Sequence, residues 1–146
     1  MVFLLHRFLL GVDEFMNVQV LGATMNQNDY SLLQKMNIQT DVIVGNQCGI
    51  NEVTEFLHNN RSVKWLSFNE RGVGLNRNNA AMRADADIVM FADDDIIFVD
   101  NYEDIIKGAY EKIPQADIII FDLTYPDIPR KPIKKIEKLS ARKCMR

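Results

Sequence analysis

The segment NERGVGLNRNNAAMRADADIVMFADDD, residues 69–95, holds two kinds of chemistry within about one helix and one strand of each other. At its end, Asp93, Asp94 and Asp95 directly follow the apolar run DIVMFA (87–92). Three adjacent carboxylates repel one another, so a cation or a set of donors must offset the charge. Hard divalent cations such as Mg2+ and Mn2+ prefer carboxylate oxygens. Mg2+ is usually held by one or two carboxylates together with substrate phosphates. An isolated acid triplet is more often a solvated turn. A triplet at the end of a buried strand is held in place, which suits a ligand.

At the start of the segment, RGVGLNRNN offers Gly72 and Gly74 for tight backbone geometry ahead of a helix. A helix N-terminus flanked by Arg71 and Arg77 is a ready anion site. No GK[ST] is present and a third glycine is missing, so neither a P-loop nor a dinucleotide fingerprint is formed. Alone, the stretch reads as a strand-to-helix connection with a solvated arginine. Combined with the acids it makes complementary chemistry: a helix start for a diphosphate, and carboxylates for a metal that bridges it.

The elements that must position these groups follow from periodicity and turn residues. Strands are expected over 17–23, 41–46, 62–68, 87–92 and 116–123. Helices are expected over 30–38, 51–60, 75–86 and 101–113, with Asp29 or Ser31 capping the first. In the 51–60 segment Val53, Phe56 and Leu57 share one helical face. In the last helix Ile105, Ile106, Ala109 and Ile113 form the apolar stripe. The order βαβαβαβαβ implies an α/β, Rossmann-like, mostly parallel sheet with helices on both faces. Ligands of such sheets bind beyond the carboxyl ends of the strands. The positions to watch are Thr24 to Asn26, Asn46 to Cys48, Asn69 to Gly74 and Asp93 to Asp95.

The 146 residues suffice for one core, and 47% apolar with 25% charged residues is ordinary for a globular chain. The net charge of −3 conceals an asymmetry. Residues 130–146 carry eight basic and one acidic residue; the rest carries nine basic and nineteen acidic. The acidic body shows no aromatic-basic interleaving, which argues against nucleic acid. Cys48 and Cys144 lie far apart, outside any metal-ligand spacing, which fits a reducing, cytoplasmic setting. No apolar run approaches the roughly 18 residues of a membrane span.

Residues 1–16 read as an N-terminal extension or a short amphipathic helix, without the features of a signal peptide and with Met16 as a second candidate start. Residues 17–125 form the domain and 126–146 a basic tail. A helix over PIKKIEKLSARKCMR would suit peripheral contact with anionic lipid at the inner membrane face; the plainer reading is a partner-seeking segment. His6 and His58 read as surface residues, Cys48 as a small residue near the pocket rim, and Trp65 as core. Homo-oligomers are left open.

The stretches VLGATMNQND, NERGVGLNRNNA and ADIVMFADDDIIFVDNYE together resemble the nucleotide-binding half of the family 2 glycosyltransferases, which have the GT-A fold. The pattern is a first strand ending in a Thr-x-Asn-like turn, a G-x-x-x-R-N helix start and a strand ending in a DxD-type motif. The resemblance spans roughly residues 17 to 123. It implies a transferase that moves a sugar from a UDP- or GDP-sugar to a saccharide or lipid-linked acceptor, with a divalent metal, in glycan or polysaccharide biosynthesis.

By that resemblance Thr24, Met25 and Asn26 would lie near the base and ribose, and Asn46 and Gln47 would face the nucleoside. Arg77 and Asn78 match the R-N pair, with Arg71 and Gly74 at the same helix start. The acid motif has two registers. Aligned on the following II, Ala92 takes the first acid position and Asp94 the metal position; read directly, residues 93–95 are themselves DxD. Asp94 and Asp95 are expected near the metal and Asp93 near the ribose. The resemblance also implies an acceptor half after the fifth strand, carrying an acidic catalytic base. Asp122, Asp127 and Glu137 do not match that base motif, so the chain reads as truncated after the fifth strand. A nucleotide-binding or interaction module without turnover is the alternative. A nucleotidyltransferase would want a glycine-rich loop after the first strand, which GATMNQND does not supply.

Overall fold

The computed structural model describes residues 2–6 and 16–125. The element order is β1 (Val2–His6), β2 (Val18–Met25), α1 (Ser31–Lys35), β3 (Asp41–Gln47), β4 (Glu52–His58), β5 (Arg61–Phe68), α2 (Val73–Ala81), β6 (Ile88–Asp93), α3 (Tyr102–Lys112) and β7 (Ile120–Phe121). The strands form one mixed sheet in the order β4-β5-β3-β2-β6-β1-β7. Its centre, β5-β3-β2-β6, is parallel; β4, β1 and β7 pair antiparallel. The expected α/β class, with a mostly parallel centre and helices on both faces, is what forms.

Strands buried on both faces need near-continuous apolar residues, and β2 and β3 have them. Val18, Val20, Leu21, Val42, Ile43 and Val44 are all buried. One face packs with α1 and α3 through Leu32, Leu33, Met36, Tyr102, Ile106 and Tyr110. The other packs with α2 through a smaller cluster of Leu21, Ile43, Leu66 and Ala80. Trp65 is core, as expected, with Tyr30 edge-on at 5.0 Å between ring centroids. Just before α1, Asp29 Oδ1 accepts the Ser31 backbone N–H at 2.8 Å, but the N-cap position falls on Tyr30 and carries no side-chain cap bond, so neither Asp29 nor Ser31 caps the helix as expected; hydrogen bonding from Ser31 holds the Asp29 carboxyl below its ordinary pKa.

The segment 51–60 is a strand and not a helix. Its i, i+3, i+4 apolar spacing fits a helical face, but Asn59 and Asn60 both take left-handed backbone, with φ of 51° and 62°. They close a two-residue hairpin in which His58 lies opposite Arg61. Left-handed conformations at both central positions define the turn that matches strand twist, and Asn tolerates them. The ladder to β5 then splits the expected face. Phe56 turns toward Tyr30, with ring centroids 4.5 Å apart, while Val53 and Leu57 point to solvent.

The N-terminal residues depart from expectation in the same way. Val2–His6, expected as an extension or a short helix, form a strand inserted between β6 and β7. The fifth expected strand, 116–123, shrinks to Ile120–Phe121 at the sheet edge. In α3 the buried stripe is Tyr102, Ile106 and Tyr110; Ile105 is half exposed, because the four-residue spacing of the larger tyrosines sets the packed face. Tyr102 Oη accepts the N–H groups of Gln39 and Thr40, both at 3.1 Å, and lies 2.7 Å from Thr40 Oγ1. Burial raises its phenol above the ordinary pKa despite those bonds. Among the described residues no helix is long and apolar enough to cross a membrane. The basic tail, with Asp127, Glu137 and Cys144, lies outside the described residues.

Candidate functional site

Parallel strands β2, β3 and β6 end level with one another. Thr24 lies opposite Asn46, and Ala23 opposite Asp93. This register follows from the apolar runs, which align when their side chains fill the same core layers. It sets three polar strand ends side by side, as the sequence pattern anticipated.

The acids do not stand as a free triplet. After β6 the chain turns, with Ile96 N–H donating to Asp93 O at 3.2 Å, and Asp93 and Asp94 bond different partners. Asp93 Oδ1 pairs with Arg77 Nη2 at 2.5 Å. Asp94 Oδ2 accepts the Thr24 hydroxyl at 2.6 Å. Asp95 is exposed. Hydrogen bonding and an arginine thus offset the first two charges from within the protein. Among the described residues no three His, Cys, Asp or Glu side chains converge as a ready cation site.

The turn after β2 is built to hold Thr24. Asn26 takes a left-handed φ of 54° and donates its N–H to Gln47 O at 2.9 Å. The chain then doubles back, and Gln27 meets Asn46 through both backbone groups. Gln27 N–H donates to Asn46 Oδ1 at 3.1 Å, and Asn46 Nδ2 donates to Gln27 O at 3.0 Å. Gln27 Nε2 also donates to Thr24 Oγ1 at 3.1 Å. The Thr24 hydroxyl therefore accepts from Gln27 and donates to Asp94, a chain of bonds with one direction. Met25 and Asn26 are exposed beside it.

Helix α2 starts at the same edge. Gly72, with φ of 138°, is its N-cap and carries no capping side chain. The first intrahelical bond runs from Asn76 N–H to Gly72 O, so the N–H groups of Val73, Gly74 and Leu75 precede it. Residues 71–75 are all exposed, which leaves this helix start and Arg71 open to an anion. Gln47 Nε2 holds the start in place by donating to Gly72 O at 2.9 Å.

Asn76 anchors the next turn. It is 2% exposed, and its Nδ2 donates to Gly45 O at 2.8 Å and Thr24 O at 3.2 Å. Two carbonyl oxygens can only face the donor end of an amide, which fixes the orientation of the group. Its Oδ1 rests against Gly45, where any Cβ would collide with it. Asn76 Oδ1 and Arg77 Nε are both buried with no hydrogen-bond partner.

Of the residues expected at the site, Thr24 bonds Asp94 and Arg77 bonds Asp93 directly, while Asn46 and Gln47 lie at the same strand ends and bond Gln27 and Gly72. Gly74 and Arg71 lie at the open helix start. Asn78 is exposed two residues beyond buried Asn76, about 200° around the helix, and so faces away from the sheet. Gln27 and Asn76 were not anticipated. Asn76 had a signal: with Ala80 it makes an i, i+4 pair on the helix face toward the sheet, where a polar residue must find backbone partners. Gln27 had none, because its bonds exist only once the turn has closed.

An open cleft of about 690 Å3 lies on the α2 side of β4 and β5, lined among others by Glu52, Leu66, Phe68, Glu70, Asn79 and Arg83. Asp93, Asp94 and Asp95 do not line it. Cys48 is half-buried near the same strand ends.

Fold and site together define an α/β protein with a polar cluster at the carboxyl edge of its parallel strands. Comparisons with family models, with curated proteins and with solved structures found no match to the chain.

Proposed function

We propose that the chain is the donor-binding part of a glycosyltransferase that uses a nucleotide-diphosphate sugar, with a GT-A-type site at the ends of β2, β3 and β6. The observation that carries the reading is the meeting of Asp94, Thr24, Asp93 and Arg77 beside the uncapped start of α2. Anion-binding backbone and metal-type carboxylates at one sheet edge suit a diphosphate better than any single-charge ligand.

The donor set fits a divalent cation completed by substrate. Asp94 keeps its second carboxylate oxygen, Asp95 is exposed next to it, and Mg2+ or Mn2+ commonly needs no more protein ligands than that. When bound, such an ion offsets diphosphate charge and stabilises the leaving nucleotide. The chain's own residues do the rest. Thr24 and Gln27 fix the direction of the Asp94 carboxylate. Arg77 holds Asp93 at the ribose side. Arg71 and the N–H groups of Val73 to Leu75 receive phosphate oxygens. Asn46, with both ends of its amide engaged by Gln27, shapes the nucleoside wall without touching the base. The acceptor is a saccharide or lipid-linked saccharide, and the catalytic base is assigned to none of the described residues.

A second reading, a nucleotide-binding module without turnover, is favoured by the internal partners of Asp93 and Asp94. Calorimetric titration with UDP, GDP, CDP and ADP, each with and without Mn2+, tests both. Metal-dependent binding of one nucleotide, lost in Asp94→Ala, supports the site. Sugar release from the matching donor then separates transferase from module. Absence of binding by a folded chain would overturn both readings.

A further inference from the structure

Among the described residues strand β4 is an outer edge of the sheet, and its pattern matches itself. In a two-residue hairpin the flanking pair exchanges both backbone bonds, and bonded pairs then alternate along the ladder. With His58 opposite Arg61, the residues bonded to β5 are His58, Phe56, Thr54 and Glu52. The backbone groups of Leu57, Glu55 and Val53 therefore point outward. The register runs without interruption from Glu52↔Ser67 to His58↔Arg61, and the strand contains no proline, lysine or bulge. Those are among the devices that keep an edge from pairing, and the charged residues the strand does carry are Glu52 and Glu55.

From this geometry we propose that two copies of the chain pair through β4, antiparallel, about a two-fold axis at Glu55. This register alone uses all three outward positions, giving about six interchain backbone bonds. It sets Val53 opposite the second copy's Leu57, two apolar side chains that are 58% and 74% exposed in one chain. It sets Glu52 opposite His58 and Thr54 opposite Phe56. The one unfavourable contact is Glu55 against itself, since like charges directly opposite destabilise a ladder. Lys64, 3.2 Å from Glu55, turns that contact into a row of alternating charge, Lys-Glu-Glu-Lys, with a cation at each end. The contact is isologous and closes at two chains. The other edge strand, β7, is only two residues long and does not continue the sheet. Pairing through β4 does not depend on nucleotide binding.

Sedimentation of the full chain over a range of concentrations tests it. The expected result is a reversible shift of mass from 16.8 kDa toward twice that value. Leu57→Lys should raise the dissociation constant at least about tenfold, equivalent to about 1.4 kcal/mol. Glu55→Pro should abolish pairing, because it removes an outward N–H and leaves the bonds to β5 intact. Glu55→Cys, with Cys48→Ser and Cys144→Ser, should form a disulfide across the axis, since bonded antiparallel pairs bring Cα atoms to about 5.5 Å. A chain that stays monomeric at every concentration overturns the proposal. So does a dimer that Leu57→Lys leaves unchanged and that Glu55→Cys fails to cross-link.

Discussion

Thr24 Oγ1 lies 2.6 Å from Asp94 Oδ2, joining the ends of two neighbouring parallel strands across 70 residues of chain. The ionised carboxylate can only accept, so the hydroxyl must donate, and Gln27 supplies the bond the hydroxyl accepts. One oxygen of Asp94 is thereby fixed. Thr24→Val keeps the shape and removes this control. We expect the metal-dependent nucleotide affinity to fall about tenfold and stability to fall by about 1.5–3 kcal/mol, the usual range for a hydrogen bond to a charged group. Thr24→Ser should restore most of both. Calorimetry and denaturant unfolding of the two variants check the pair of effects, and equal behaviour of Val and Ser would refute it.

Gly45 and Asn76 form a single packing unit. A Cβ on Gly45 falls onto the Asn76 amide, which is itself held by two strand carbonyls and cannot yield. Gly45→Ala should cost at least about 1–3 kcal/mol, as overpacking does. Asn76→Ala strands two buried carbonyls and should cost a similar amount. Because each change destroys the same contact, the double variant should cost less than the sum of the two, a coupling readable in a double-mutant cycle.

The Arg77–Asp93 pair should behave differently. Both side chains are partly exposed, so solvent screens the pair and Asp93→Asn should change stability by less than about 1 kcal/mol. Arg77→Met should act mainly on ligand binding, through loss of a positive charge near the helix start. A thermal shift read beside nucleotide affinity separates the two. A large fall in melting temperature with unchanged affinity would mean that the pair is structural only.

Tyr110 supplies a pH dependence. Burial first, and then the charge of Asp117, push its phenol up to about 12. The neutral form is favoured in the folded chain. Its stabilising contribution is complete below the unfolded phenol value of about 10 and is lost as pH rises from there through about 12. Chemical unfolding measured between about pH 9 and pH 11.5 should therefore show falling stability at the alkaline end. Tyr110→Phe should flatten that fall; if its slope matches the native chain, another group is responsible.

The Asn59-Asn60 turn is sensitive to shape. A β-branched residue at either left-handed position is strained by about 1–2 kcal/mol. Asn60→Val should lower stability by that much, and Asn60→Gly should be tolerated. Urea titration of the two variants distinguishes a turn-defined hairpin from one held by its strands alone.

What the sequence determined by itself was whatever depends on neighbours along the chain. The apolar runs of β2, β3, β5 and β6, the helical periods of α1 and α3, and the acids placed at a strand end were all legible, because burial of a whole strand needs a continuous apolar run. That logic also put Thr24, Asn46, Asp93 and Asp94 at one sheet edge before any contact was known. Tertiary structure alone decided the rest. Val53, Phe56 and Leu57 fit a helical face and not a strand period, and pairing with β5 overrode that local pattern. Val2–His6 pair antiparallel with β6 and with the short β7, partners far away in sequence. The partners of the acids, and the roles of Gln27 and Asn76, depend on bonds between residues far apart in sequence, whose energy exists only after the sheet has closed.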